Sequence, residues 1–356
     1  MLLTVLSFVF VLGIAILFHE FGHFIVAKLS GIKVYKFSIG FGPKLTGFFW
    51  KGTEYIICLF PFGGYIKMAG EDAHKTDENM IASDTDTSEE IIENERFDKK
   101  HFLTKIAVII NGPVMNIFLA IMLLSIVFFF SGTSQITNRI SEVLPNSPAE
   151  KAGLISGDSI IAINFIEIKN AEDISKIIDE NRGQDIFLKI MRENKTIEIK
   201  IQPQYNSEHD RAMIGITLEV LTKKISLIDS IKKSVVTAYE IITLIGKGFR
   251  EMFSGNMPIE LAGPLGIAQM AGEAAKAGFI NLLFFSAIIN IFLGFINLFP
   301  IPILDGGQIL LIILEKIKGS PIKPEYINFL YMIGLAFIGM IFVLATYQDI
   351  KRIFIE

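Results

Sequence analysis

His19-Glu20-Phe21-Gly22-His23 is an H-E-x-x-H pattern, set inside a strongly apolar stretch of the chain. On a helix, residues four apart share a face, so two imidazoles at that spacing can reach one metal ion. A carboxylate between them projects beside the ion, where it can take a proton from an activated water. The chemistry would be metal-assisted hydrolysis. A satisfied pair of histidines at a helix end would need no such chemistry. That alternative is disfavoured, because three ionisable side chains inside an apolar span are costly and normally serve a function.

Catalytic zinc usually takes three protein ligands and keeps one position open. Cys58 is the sole cysteine, which excludes an intrachain disulfide and a cysteine-rich metal site. The third ligand must therefore be His, Asp or Glu at membrane depth. Asp305 is the one good candidate, at the end of Asn297-Leu298-Phe299-Pro300-Ile301-Pro302-Ile303-Leu304 and just before Gly306-Gly307. Pro300 and Pro302 lack amide donors and cannot sustain a regular helix. Irregular backbone at that depth is tolerated where it lines a polar cavity. The prolines are thus expected to unwind the chain and turn Asp305 towards the ion. Asp is also a favoured helix cap, and Asp305 could simply start a helix over Gly306-Gly307-Gln308. Its pairing with H-E-x-x-H in another span favours the ligand.

The elements that must hold these residues are membrane spans. Of 356 residues, 51% are hydrophobic and 20% charged, and the mean hydropathy is +0.50. Four stretches, at 2–27, 103–130, 279–303 and 327–346, are long and apolar enough to cross a bilayer. The first lacks a basic leader and a small-residue cleavage site, so it reads as a span and not a signal peptide. Lys and Arg concentrate at 28–51, 96–105 and 316–323, with fewer in the other flanks. Positive charge marks the cytoplasmic side. The expected topology has the N-terminus outside, 28–102 inside, 131–278 outside and the C-terminus outside; Lys351 and Arg352 dissent. Counting back from Lys28, His19 lies roughly 14 Å below the inner surface. The net charge of −4 leaves no basic footprint for a nucleic-acid partner.

The chain divides into 1–130 (two spans, a cytoplasmic loop and a β region), 131–205 (a small α+β domain), 206–278 (a helical linker) and 279–356 (two spans). Residues 31–70 are rich in Gly, β-branched and aromatic types. They read as short strands with turns at Gly42-Pro43 and Gly63-Gly64, too apolar for a cytosolic loop. Residues 71–95 read as an acidic, solvated link. Strand-like runs at 160–163, 186–191 and 196–201 flank a helical stretch at 171–180.

Taken in order, these motifs resemble the site-2 protease family of intramembrane zinc metalloproteases, in its bacterial regulator-of-sigma-E form. The resemblance rests on His19 to His23, on 37–44, 61–67 and 263–267, on Gly112-Pro113 with Asn116, and on 297–307. It implies a polytopic α-helical membrane protein with four transmembrane helices, a membrane-associated β-hairpin and one extracytoplasmic PDZ domain. The PDZ signature is Pro145-Asn146-Ser147-Pro148-Ala149 followed by Ala152-Gly153-Leu154 and Gly157-Asp158. Enterobacterial members carry two PDZ domains; 131–224 has room for one.

By the same resemblance His19, His23 and Asp305 bind Zn2+, and Glu20 is general base and acid. Asn297 helps hold substrate near the metal. Gly40, Phe41 and Gly42 belong to the hairpin that pairs with an extended substrate, in keeping with the way exposed strand edges invite β-augmentation. The implied partners are membrane proteins with a single span, such as pre-cleaved anti-sigma factors and signal-peptide remnants, together with the lipid bilayer and a peptide or C-terminus at the PDZ domain. The implied location is the inner (plasma) membrane, with the site towards the cytoplasm. Two other classes compete. A metal transporter would explain intramembrane His and Asp, but not four spans without an evident inverted repeat. A PDZ adaptor would not need Glu20. A serine-type protease is disfavoured by the absence of a Gly-x-Ser-x-Gly turn.

Overall fold

The computed structural model describes residues 1–71, 93–168, 170–206, 210–255 and 262–354, so most of the acidic tract and part of the Gly/Pro-rich piece before Gly263 lie outside it. The chain forms two compact units: Met1–Phe129 with Ser226–Glu356, and Phe130–Ile225.

The first unit is built on uniformly apolar helices. Such helices have no polar face to turn to water and belong in lipid or buried in protein. In chain order the unit contains α1 (Leu2–Leu29), β1 (Val34–Trp50), β2 (Thr53–Met68) and α2 (Phe102–Ser131). Among the described residues four helices are long and apolar enough to cross a membrane: α1, α2, Phe279–Ile296 and the stretch Pro324–Arg352. They match the four expected spans with one difference. The third helix stops at Ile296, because the prolines at 300 and 302 cannot continue it.

The β region is one folded hairpin, and its turn differs from expectation. Lys51 and Gly52 both have positive φ and close a two-residue loop between β1 and β2, as right-twisted hairpins favour. Gly42-Pro43 and Gly63-Gly64 lie inside the strands instead. There the glycines serve bulges: Gly40, Gly42 and Gly63 all have positive φ, and the register shifts repeatedly around them. The bulges fold the long strands back on themselves. Residues 37–39 face Tyr65, Ile66 and Gly64 on one side and Tyr55 to Ile57 on the other, while 44–50 pairs with 53–58. Leu45, Phe48, Phe49 and Trp50 are exposed at the far end. The base of the sheet is held by Lys33 N–H donating to Glu95 O and Phe97 N–H to Ala69 O.

The second unit is α+β, as expected. It runs through β3 (Thr133–Val143), α3 (Pro148–Lys151), β4 (Ser159–Ile163), β5 (Ile166–Glu167), α4 (Ala171–Glu180), β6 (Ile186–Arg192), β7 (Lys195–Ile201), β8 (Gln204–Asn206), β9 (Arg211–Met213) and β10 (Ile216–Lys223). The main sheet has the order β10-β3-β4-β6-β7. β6 alternates strictly, burying Ile186, Leu188 and Ile190 and exposing Phe187, Lys189 and Met191, the period of a half-buried strand. With Ile140, Ile160, Ile163, Ile174 and Ile178 these form the unit's own core. The domain extends past the expected boundary at 205, because β10 returns to pair with β3 (Lys223 opposite Thr133). The helical linker accordingly begins only at Ser226.

The signature residues of this unit have structural work to do. Ser147 caps α3 by accepting from Glu150 N–H, with Pro148 at the first helical position. Asp158, fully buried, accepts from Arg192 Nε at 2.7 Å and Nη2 at 2.8 Å, and from Ile155 N–H at 3.0 Å. Burial would raise its carboxyl, but the guanidinium and the backbone donor outweigh that and hold it below the usual range.

The chain then returns to the first unit through α5 (Leu227–Phe253), α6 (Pro264–Lys276), α7 (Phe279–Ile296), α8 (Asp305–Lys318) and α9 (Pro324–Phe354). Leu119, Leu123, Leu124 and Val127 of α2 pack on Leu283, Ala287 and Ile291 of α7 and on Ala238 of α5. Asp349, near the end of α9, is buried and accepts from Gly263 N–H at 3.1 Å and Gly266 N–H at 2.8 Å. It thereby satisfies orphan donors at the start of α6.

Candidate active site

The site begins where α1 and α2 cross, at two glycines. At Gly22 a side-chain carbon would lie 2.8 Å from Met115 Cγ and would run into the Asn111 carbonyl. Asn111 Nδ2 donates to Gly22 O at 2.8 Å, tying the helices together. At Gly112 a side-chain carbon would lie 2.9 Å from His19 Cε1 and closer still to the His23 ring. Small residues of this kind let membrane helices approach closely, and here the approach sets both imidazoles against α2.

Asp305 arrives from the other direction. After Ile296 the chain leaves the helix, and Gly306 N–H donates back to Asn297 O at 2.7 Å. Side chains at Gly306 and Gly307 would collide with the carbonyls of Leu298, Phe299 and Ile301. The segment is thus folded tightly on the start of α8, and Ile303 takes a φ of 90° within it, a strained value for a β-branched residue. Asp305 is the first residue of α8, with Leu304 at the cap position, so it stands inside the helix and is not its cap; where its side chain points bears on the ligand reading.

That side chain points at the histidines. Asp305 Oδ2 lies 3.2 Å from His19 Nε2, and Oδ1 lies 3.6 Å from His23 Nε2. The two Nε2 atoms are 3.2 Å apart. Neutral imidazoles that share no ion gain little from aiming two lone pairs at each other. Two nitrogens on a tetrahedral zinc, each about 2.0–2.1 Å from it, stand about 3.3 Å apart. The donor set therefore fits zinc: one ligand atom from each of the three residues lies within 4.8 Å of the others, and all three are largely buried. His23 Nδ1 donates to Val108 O at 2.9 Å, which leaves its Nε2 lone pair for a metal.

Glu20 sits beside this group under the hairpin. A side-chain carbon at Gly64 would lie 3.0 Å from Glu20 Cγ and 2.8 Å from Ser38 O. Gly64 thus gives Glu20 its room, and Ile39 pairs with it. Gly40, Phe41 and Gly42 follow directly along β1; Phe41 is half exposed and stacks on Tyr65. Asn297 Nδ2 comes within 3.5 Å of His19 Nδ1. The fold therefore gathers His19, His23, Asp305 and Asn297 directly and sets Gly64 of β2 next to Glu20, with Ile39 of β1 paired to it. Sequence reasoning names Gly64, Gly112 and Asn116 as a turn residue or as members of motifs, and gives none of the three a part in shaping the site. Their signal is spacing. Val108, Gly112 and Asn116 recur every fourth residue on α2, and each meets His19 or His23.

A buried His-His-Asp group beside a carboxylate, on helices apolar enough to span a bilayer, defines a membrane-embedded zinc metalloprotease. Residues 7–341 match the family model described as Peptidase family M50, and the chain belongs to that family. It is 33% identical to a putative zinc metalloprotease of Clostridium acetobutylicum, over 95% of this chain and 94% of that protein. It is 31% identical to a putative zinc metalloprotease of Rickettsia conorii, over 99% of this chain and 100% of that protein. It is 28% identical to the regulator of sigma-W protease RasP of Bacillus subtilis, over 99% of each chain. A solved PDZ domain of an SdrC-like protein from Listeria innocua is 23% identical over 25% of this chain and 99% of its own, with a TM-score of 0.22. The protein is an intramembrane zinc metalloprotease that hydrolyses peptide bonds in or near transmembrane segments.

Proposed function

We propose that His19, His23 and Asp305 hold the zinc ion and that Glu20 is the general base and acid. The reading is carried by two Nε2 atoms 3.2 Å apart that both face the Asp305 carboxylate. Zinc held there supplies Lewis acidity towards the scissile carbonyl and a water molecule. Glu20 takes the proton of the attacking water and delivers it to the leaving nitrogen. Asn297, partly buried beside His19, donates its amide to the substrate carbonyl as charge develops on it.

The substrate must be extended before its carbonyls are free. The hairpin around Gly40, Phe41 and Gly42 pairs with it as an added strand, and the exposed Phe48, Phe49 and Trp50 rest in the bilayer. Helix-breaking residues in the substrate span then favour cleavage, because less helix is lost on opening. The substrates are single-span membrane proteins already trimmed outside the membrane. Anti-sigma factors fit that description, in line with the name of the Bacillus relative, as do signal-peptide remnants. The Phe130–Ile225 unit is a PDZ domain on the outer side, binding a peptide or C-terminus, and the site opens nearer the cytoplasm. The positive flanks at 28–51 and 96–105 support that orientation.

The test is cleavage of a tagged single-span substrate by purified wild type and Glu20→Gln in detergent. Wild type is expected to cut and Glu20→Gln to retain zinc but fail to cut by at least about 1,000-fold. Cutting by Glu20→Gln at the wild-type rate would remove the assigned base.

A further inference from the structure

Each metal-facing histidine must keep its Nδ1 protonated if its Nε2 lone pair is to reach the ion. For His23 the acceptor of that proton is the Val108 carbonyl at 2.9 Å. Among the described residues no backbone carbonyl accepts from the His19 ring. Two amides lie near its Nδ1 instead: Asn116 Nδ2 at 3.4 Å and Asn297 Nδ2 at 3.5 Å. A donating amide at that position would select the wrong tautomer.

Asn116 is 1% exposed, and its Oδ1 is a buried acceptor with no hydrogen-bond partner. An orphaned acceptor in an apolar helix is expensive and calls for a reason. Half a turn of the amide exchanges its two ends and sets Oδ1 against His19 Nδ1–H. That rotation gives Oδ1 a partner and His19 the correct tautomer, and places Nδ2 where Oδ1 stood. Asn297 differs: it is partly buried and not sealed off as Asn116 is, and its backbone carbonyl is already engaged by Gly306 N–H.

We infer that Asn116 is a positioning residue for the metal site, accepting the Nδ1–H of His19 through its side-chain oxygen, and that Asn297 is thereby left free to face the substrate. The two asparagines divide the work: Asn116 sets metal affinity, Asn297 sets turnover. The inference rests on the assignment of His19 as a zinc ligand.

The test measures zinc affinity on the full-length protein in detergent, by competition with a chromogenic chelator, without reference to cleavage. Asn116→Leu keeps the volume and removes the acceptor; it is expected to weaken zinc binding by about 10- to 100-fold. Asn116→Asp keeps an acceptor and is expected to stay within a few-fold of wild type. Asn297→Leu is expected to leave affinity unchanged and lower cleavage. A cobalt-loaded sample gives a second readout: its visible absorption should shift in Asn116→Leu and not in Asn297→Leu. Wild-type affinity in a folded Asn116→Leu, or equal weakening by Asn297→Leu, overturns the inference. If Asn116→Leu does not fold, loss of zinc by Asn116→Asp equally overturns it. Failure of wild type itself to bind zinc would instead overturn the ligand assignment on which the inference stands.

Discussion

At Gly112 the two imidazoles lean against bare backbone, and this contact sets the spacing of the site. An added methyl would meet His19 Cε1 at 2.9 Å and the His23 ring closer still. Gly112→Ala is therefore expected to retain α2 and lose bound zinc, measured by elemental analysis against protein concentration. Stoichiometric zinc in that variant would mean the rings can move aside. The meeting of His19, His23 and Asp305 was legible in the sequence because few residue types are suited to ligate zinc and even fewer are tolerated in an apolar span. The parts played by Gly112, Gly64 and Asn116 were not, although the motifs that hold them were, because those parts depend on which helix face or strand lies opposite, a tertiary fact. In the second unit Asp158 offers a separate test. Its folded carboxyl is held low, so its contribution to stability is fully present above about pH 4, the ordinary carboxylate value. It is lost as pH falls through the lower, folded value. Urea denaturation of the 130–225 unit, which has its own core and completed sheet, should show that acid-side loss. Asp158→Asn should lower the plateau by about 3 kcal/mol, the lower end for a broken buried pair, since Arg192 remains partly exposed. An unchanged plateau would make the pair dispensable.

Among the elements, the third membrane helix and the hairpin show where local sequence is a good guide and where it is not. Pro300 and Pro302 end the helix for a reason visible in the sequence, the missing amide donors. Replacing both by Ala should let the helix run on from Ile296 and carry Asp305 away, with loss of zinc and cleavage together. Retention of both would show that Gly306 and Gly307 suffice to turn the chain. In the hairpin, glycine punctuation misleads, since glycine marks bulges as well as turns. Lys51-Gly52 carries the real turn, and the glycines at 40, 42 and 63 bend the strands so that 37–39 gains a neighbour on both sides. The α6 helix depends on another distant residue. Asp349 is buried and accepts from two amides of its first turn. Asp349→Ala should lower stability by about 2 kcal/mol, the size of hydrogen bonds to a charged group, seen as a lower melting temperature in detergent.

For the whole molecule, hydropathy alone yields four spans because backbone groups in lipid must be satisfied within helices. The boundary of the outer domain is less legible. β10 joins β3 about eighty residues earlier in the chain, a pairing no local pattern announces. What joins the parts of the first unit is the His19-His23-Asp305 cluster, assembled from α1 and from the segment after α7, with α2 packed behind it. The central claim is that His19, His23 and Asp305 together hold the zinc that cleavage requires. The most direct measurement is zinc stoichiometry and substrate cleavage on the same purified samples of wild type, Asp305→Asn and Glu20→Gln, before and after chelation. The account predicts about one zinc and activity in wild type, restored by zinc after chelation, with zinc but no activity in Glu20→Gln and neither in Asp305→Asn. Full zinc and full cleavage in Asp305→Asn would contradict it.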